Sequence, residues 1–408
     1  MRLRYLTSIA IALIVGSTPA LAAESYDLLS GDNATLDIST NRGLRLRFEE
    51  PQIELRLGGR FHGDLAFFDD DASSIDNDAQ VRRGRAYIAG RLFEDWKFKF
   101  EREFSDERSG WRNLWLRYEP FDRTWIKVGN FVAPFGLEDV ASSNHATFME
   151  RALSSALSPS FGTGVAVHHR GRLGDTKRRN HWTATGAFTV EPLNDRQDDL
   201  QHRSNHWALT SRVTFAPVAE RRRVFHLAGS FEYRNVDGGS NYRVRTRPES
   251  GMAPPFLSTG LLPDVDQTIA FGVEAATVLG PFSAQAEYMR MKLERDTRSD
   301  PVFDGWYVQA TYLVTGESRR YSTGTGTFRG VRPKGKWGAL ELAARYSMLD
   351  LVDETVTGGR AKNFTAGVNW YLCENLRLMF NWVHVDARRS DGQSDNPDIF
   401  QSRLMFFF

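Results

Sequence analysis

The chain has one cysteine, Cys373, so no internal disulfide can brace it, and a lone thiol in a turn is the simplest reading. Beyond residue 22 no stretch approaches ~18 consecutive apolar residues, which excludes a helical membrane span in the mature protein. Net charge is nearly absent: 52 Lys and Arg face 51 Asp and Glu. That balance gives no reason to expect nucleic acid or an anionic lipid as a partner. Catalytic constellations are missing too, with no G-x-S-x-G, H-E-x-x-H, Walker loop or C-x-x-C. GTGTFRG (324–330) spaces its glycines wrongly for a dinucleotide loop. His202 and His206 lie four apart in a predicted loop, flanked by Arg and Asn, which argues against a metal pair. The acidic run Asp69-Asp70-Asp71, with Asp76 and Asp78, lacks the glycine of a calcium loop. It reads as a solvated external loop, with a divalent ion shared with lipopolysaccharide as the sharper option. No enzyme activity, cofactor or metal is expected.

What is present starts with MRLRYLTSIAIALIVGSTPALAAES. Arg2 and Arg4 form a basic lead, Leu6 to Val15 an apolar run, and Ala20-Leu21-Ala22 a small-residue cleavage pattern. This predicts a secretory signal peptide over 1–22 and an exported mature chain. Its removal takes the two arginines and moves the formal charge from +1 to -1.

From about residue 50 the hydrophobic period is two. In QIELRLGGRFHGDLAFF, Ile53, Leu55, Leu57, Phe61, Leu65 and Phe67 share one face, and Glu54, Arg56, Arg60, His62 and Asp64 the other. The same alternation runs through DWKFKFERE, GALELAARYSM, KNFTAGVNWYL and NLRLMFNWV. Each strand thus has one oily and one ionic face. Strands of about ten residues with Trp or Tyr at the ends of the apolar face match a transmembrane barrel with aromatic girdles. Connections alternate in length, short at 93–95, 119–123, 280–281 and 373–375, long at DDDASSIDND, 131–160, 235–267 and DARRSDGQSDNPD. The expectation is an all-β transmembrane antiparallel barrel over 52–408, of about sixteen strands. Residues 23–51 form a periplasmic segment before it, and the bacterial outer membrane is the location. The long connection at 316–336 breaks the pattern, since parity puts it on the short-turn side. The closing FQSRLMFFF suits lipid, and its terminal Phe resembles the signal read by the barrel assembly machinery. Outer-phase Arg290 and Lys292 mark the end of the lipid band.

The inner phase is rich in Arg and Lys: Arg56, Arg60, Arg83, Arg85, Arg91, Lys97, Lys99, Arg117, Lys127, Arg170, Arg212, Arg345, Arg377 and Arg403. Glu54, Asp64, Glu101, Glu103, Glu232, Glu274, Glu287 and Glu341 share it. Two readings stay open. The charges could pair and brace a wet lumen without selectivity, or the arginine forks could hold passing anions and release them.

Several stretches resemble the phosphate-selective porin O and P family: VRRGRAYIAGRL, VGNFVAPFGLEDVASSNHATFMER, GPFSAQAEYMRMK, FDGWYVQATYLVTGESRRYS, GALELAARYSMLDL and GGRAKNFTAGVNWYLCENLRL, in the family's order. The resemblance implies a 16-stranded homotrimeric barrel passing small anions such as phosphate or polyphosphate. It implies that 131–160 folds inward as the constriction, and that 316–336 reaches into the lumen. The expected anion path is Arg60, Arg83, Arg85, Lys97, Lys99 and Lys127, with Arg319, Arg320, Arg329, Arg332, Lys334 and Lys336 at the exit. Outer-membrane lipid and lipopolysaccharide surround it. The alternatives are a general diffusion pore and a non-conducting structural or adhesion barrel.

Overall fold

Alternating strands leave an oily face that must be removed from water and backbone edges that must be paired, and a closed barrel in lipid meets both demands. A computed structural model describes residues 25–31, 34–39, 43–105, 109–174, 180–193 and 206–408; the expected signal peptide lies outside them. Three N-terminal strands, β1 (Ser25–Gly31), β2 (Ala34–Ser39) and β3 (Gly43–Phe48), precede the barrel. Its strands are β4 (Ile53–Asp69), β5 (Asp78–Leu92), β6 (Trp96–Glu103), β7 (Gly110–Phe121), β8 (Thr124–Val132), β9 (Phe161–Gly171), β10 (His181–Val190) and β11 (Trp207–Ala219). They continue as β12 (Arg223–Tyr242), β13 (Leu262–Leu279), β14 (Phe282–Arg295), β15 (Val302–Leu313), β16 (Ala339–Asp353), β17 (Val356–Tyr371), β18 (Leu376–Arg388) and β19 (Asp398–Phe407). Each pairs antiparallel with its sequence neighbours, and β19 returns to β4 from Asp398↔Asp69 to Phe407↔Arg60. The sixteen-strand barrel is closed.

The open edge of β4 is divided. Its first residues pair with β3, from Phe48↔Ile53 to Leu44↔Leu57, and the rest pair with β19. At the division sits Phe408, whose backbone N–H donates to the Gly59 carbonyl (3.0 Å) while its own carbonyl accepts from Gly59 N–H (3.1 Å) and the Tyr87 hydroxyl (3.2 Å). Glycine is needed here because a Cβ on residue 58 would lie 2.5 Å from the Phe408 carbonyl oxygen.

The outer surface is apolar as the alternation requires. Phe67, Val128, Leu227, Val273 and Phe380 are each more than half exposed, whereas their inward neighbours Ala66, His226 and Met379 are buried. Rows of rings mark both rims, with Trp96 stacked on Tyr118 (4.7 Å) at the short-turn end and Trp306 against Tyr346 (5.7 Å) at the other. Cys373 sits in the turn 372–375, its thiol bonded to Asn375.

Two boundaries differ from the expectation. Residues 235–242 and 262–267 are strand rather than loop, because β12 and β13 run on past the lipid band. NVDGGSNY has only Val236 and Tyr242 among polar residues and glycines, too few apolar residues to mark an alternation. The connection 316–336 is folded: Arg320–Ser322 pairs with Thr327–Arg329 as a small hairpin.

Candidate functional site

Inserted segments fill part of the lumen. The segment 133–160 turns inward and lays Phe135, Leu153 and Leu157 against Met289, Met291, Phe303 and Leu349 of the wall. Gly136, at φ 68°, makes the turn, and its N–H donates to Ser230 Oγ (3.2 Å). The Glu138 N–H donates to Glu287 Oε1 (2.7 Å) and the Met149 N–H to Asn381 Oδ1 (2.9 Å). Asn369 and Arg377 hold the carbonyls of Thr147 and Ala146, both at 2.9 Å. Every wall contact replaces a water bond that burial removed from the segment's backbone.

Two further segments enter. From the long-loop end, Glu249 inserts beside 133–160, accepting from the Leu153 N–H (3.2 Å), Arg345 (2.5 Å), Thr365 Oγ1 (2.8 Å) and Ser347 Oγ. From the short-turn end, the 320–329 hairpin rises to Arg212, which donates to the carbonyls of Thr325 (3.2 Å) and Gly326 (2.9 Å). Arg319 ties the two inserted layers, donating to the His145 carbonyl (2.6 Å) and to Thr147 Oγ1.

What stays open is a cavity of about 370 Å³ against the wall from β4 to β11. Its basic lining comprises Arg60, Arg83, Arg85, Lys99, Arg112, Lys127, Arg151 and Arg212, opposed by Glu101 and Asp139. One carboxylate, Glu101, serves three cations: Lys99 (2.5 Å), Arg60 (3.2 Å) and Arg85 (3.2 Å). Asp139 is held by Arg151 at 2.6 Å, and Arg212 by Glu274 at 2.7 Å. Neither Arg83 nor Lys127 makes a direct ion pair with a carboxylate among the described residues, although Glu150 lies near enough to Arg83 to feel its charge. Lys127 instead lies over the rings of Trp125 (4.7 Å), Trp115 (5.1 Å) and Phe131 (5.3 Å). A ring face attracts an ammonium, so the Lys127 side chain is held by rings rather than by a carboxylate.

Five of the six cations expected along the path, Arg60, Arg83, Arg85, Lys99 and Lys127, thus line one cavity. Lys97 stands lower, paired with Glu119 at 2.5 Å. Of the exit set, Arg319 is buried in the latch, Arg320 caps the Gly330 carbonyl (2.9 Å) and Arg332 pairs with Glu374 (3.0 Å). Arg329, Lys334 and Lys336 are exposed at that mouth. The inner charges fall into two sets. Arg403 with Asp64 (2.6 Å) and Arg345 with Glu249 (2.5 Å) are paired braces, whereas the cavity cations exceed their acids.

Arg82 and Arg112 also point inward, though strict alternation puts both outside. A bulge explains each. His62↔Arg83 is followed by Gly63↔Val81, leaving Arg82 over; Phe100↔Leu114 is followed by Arg102↔Trp111, so Arg112 and Asn113 share one opposite position. Arg82 grips Glu150 of the inserted segment with two bonds, at 2.8 and 2.7 Å. Burial alone would raise the Glu150 carboxyl, but Arg82, Arg403 and Arg83 hold it well below the usual carboxylate range. Its contribution is therefore complete above the unfolded carboxylate range of about 4.3 and is lost only as pH falls through the lowered folded value. The difference in single-channel noise between the wild type and Glu150→Gln should therefore persist from neutral to about pH 5 and vanish only in stronger acid. Loss of that difference between about pH 7 and 5 would contradict this anchor.

Among the described residues no group of His, Cys, Asp and Glu is arranged for a metal. His202 lies outside them, and His206 bonds Glu191 (2.9 Å). The acidic run is tied to its neighbour, with Asp71 accepting from the Asn396 N–H (2.9 Å).

The chain resembles known proteins in both sequence and fold. It is 27% identical over 430 residues to "Porin O" of Pseudomonas aeruginosa, covering 95% of this chain and 96% of that one. An uncharacterized protein of Caulobacter vibrioides is 27% identical over 364 residues, covering 83% and 70%. Among solved structures, a loop L8 deletion mutant of OmpT, an outer membrane protein of Vibrio cholerae, superposes with TM-score 0.55 at 13% identity, over 87% of this chain and 99% of that one. An anion-selective porin from Comamonas acidovorans gives 0.53 at 12% identity, over 87% and 100%. These two likenesses show the sixteen-strand porin fold. The model of the family described as "Phosphate-selective porin O and P" matches residues 55–408, and the chain, an outer-membrane porin, belongs to that family.

Proposed function

We propose that the protein lets small anions diffuse across the outer membrane, with phosphate or polyphosphate as the preferred cargo and no bond made or broken. The observation that carries this is the lumen cavity, where basic side chains outnumber acids and Lys127 rests on aromatic faces rather than on a carboxylate. An anion entering the cavity exchanges part of its hydration shell for Arg and Lys donors, and the shared Glu101 keeps each contact weak enough to release it. Arg60, Arg83, Arg85, Lys99 and Lys127 form the path; Arg329, Lys334 and Lys336 draw anions at the short-turn mouth, which is the periplasmic one. The family's description names phosphate and the Comamonas neighbour's title names anion selectivity, which supports an anion channel. As in the trimeric form of Vibrio OmpT, three copies assemble side by side. Lipopolysaccharide surrounds the external rim, and the barrel assembly machinery inserts the chain.

The test is planar-bilayer recording of the purified protein. Reversal potential in a potassium chloride gradient is expected to report anion preference, and millimolar phosphate to block chloride current. Chloride current indifferent to phosphate would leave a general diffusion pore in its place.

A further inference from the structure

The near-zero net charge conceals a local excess outside the lumen. The turn between β11 and β12 carries three consecutive arginines, Arg221, Arg222 and Arg223, all exposed. Four other turns at the same end are neutral or acidic in sequence, Phe93-Glu94-Asp95, Asp122-Arg123, Gly280-Pro281 and Leu372-Cys373-Glu374-Asn375, whereas the connections 172–180 and 314–338 are basic as well. The three side chains are arranged at a boundary. Arg223 is in the outer phase of β12, its guanidinium 5.7 Å from the ring of Phe225, which faces lipid with Leu227. In register with it across the outer face come Leu279, then Phe282, then Tyr312, all exposed apolar side chains. Arg222 is fixed by two bonds to the Gly316 carbonyl (3.2 and 3.3 Å), which pins the turn to the 314–338 segment. Arg221 has no side-chain partner among the described residues.

Guanidinium groups immediately beyond a lipid-facing apolar strip stand at the level of lipid phosphates. The planar fork accepts two phosphate oxygens at once. We propose that this turn holds an anionic phospholipid of the periplasmic leaflet, its phosphate on Arg221 and Arg223 and its acyl chains along Phe225, Leu227 and Leu279. The assignment rests on the outer-membrane reading with the short-turn end facing the periplasm. It departs from the expectation, drawn from net charge alone, that no anionic lipid is a partner.

The experiment uses the full protein in nanodiscs of phosphatidylcholine, with or without added phosphatidylglycerol, and counts retained phosphatidylglycerol by native mass spectrometry. Basic residues near an anionic surface act roughly independently, at about fivefold each, so replacing all three by Gln should weaken retention on the order of a hundredfold. Arg221→Gln alone, which disturbs no contact, should cost about fivefold, and replacement by Lys should restore most of the binding. Heat-modifiable gel mobility verifies that each variant is folded. Equal retention by the wild type and Arg221→Gln overturns the proposal. So does retention of phosphatidylcholine equal to that of phosphatidylglycerol. Displacement of the lipid by millimolar inorganic phosphate would also overturn it, by assigning the turn to free anions at the exit. Reversal potential is read on the same variants and should not move, so a failure of lipid binding is distinguishable from a failure of anion conduction.

Discussion

Lys127→Glu is expected to abolish anion preference and to turn the reversal potential towards that of a cation pore. Lys127 lines the cavity without a direct carboxylate partner among the described residues, so whatever charge stands at this position faces the permeating ion directly. Two unit charges ~4 Å apart attract by about 4 kcal/mol at an effective dielectric constant of about 20. Reversing one charge removes that attraction and installs a repulsion, and each 1.4 kcal/mol is about tenfold. Local anion occupancy should fall on the order of a hundredfold or more. Lys99→Gln is the informative contrast. Lys99 shares Glu101 with Arg60 and Arg85, so its loss leaves the other two to hold the same acid and the net field changes less. A bilayer measurement in which the two variants shift reversal potential equally would refute the special place given to Lys127.

Glu249→Ala should produce the largest structural effect in the lumen. Its carboxylate is buried, accepts from Arg345, Thr365, Ser347 and the Leu153 N–H, and so joins wall strands β16 and β17 to the inserted segment 133–160. Removing it leaves the Arg345 guanidinium with Glu138 at 3.4 Å and the Glu150 carbonyl at 3.1 Å. Breaking one side of a buried ion pair typically costs about 3–5 kcal/mol, chiefly through the charge left behind. A closed barrel can survive that loss, but a segment seated on the charge cannot stay in one place. Larger and noisier single-channel conductance is expected, with the heat-stable folded band retained. Unchanged conductance with unchanged noise would mean that apolar packing of Phe135, Leu153 and Leu157 alone holds the segment.

The cylinder was legible because its cause is periodic. Phe61, Leu65 and Phe67 announce lipid, while His62 and Asp64 announce the interior, and no distant partner is needed to read either. Lys127 and Lys99 were readable for the same reason. Arg82 and Arg112 were not, since one extra residue in a strand turns the phase over, and nothing in VRR or WRN marks where that residue sits. Height along the axis was equally hidden. Lys97 and Lys99 share a face, yet only Lys99 reaches the cavity, because alternation fixes the side of the wall and not the level. The latch from Arg319 to His145 joins residues 174 positions apart, and its partner is a backbone carbonyl that any sequence supplies.

The buried pair of Arg403 with Asp64 spans 339 positions and lies across the seam where β19 meets β4. Contacts so remote carry the greatest loop-closure entropy and form last. Until they form, the molecule is a curled ribbon with two raw margins, each able to zip onto another copy. Zipping shut is thus the irreversible-looking end of its biogenesis, and a half-made ribbon released into water is a seed for insoluble matter rather than a smaller pore.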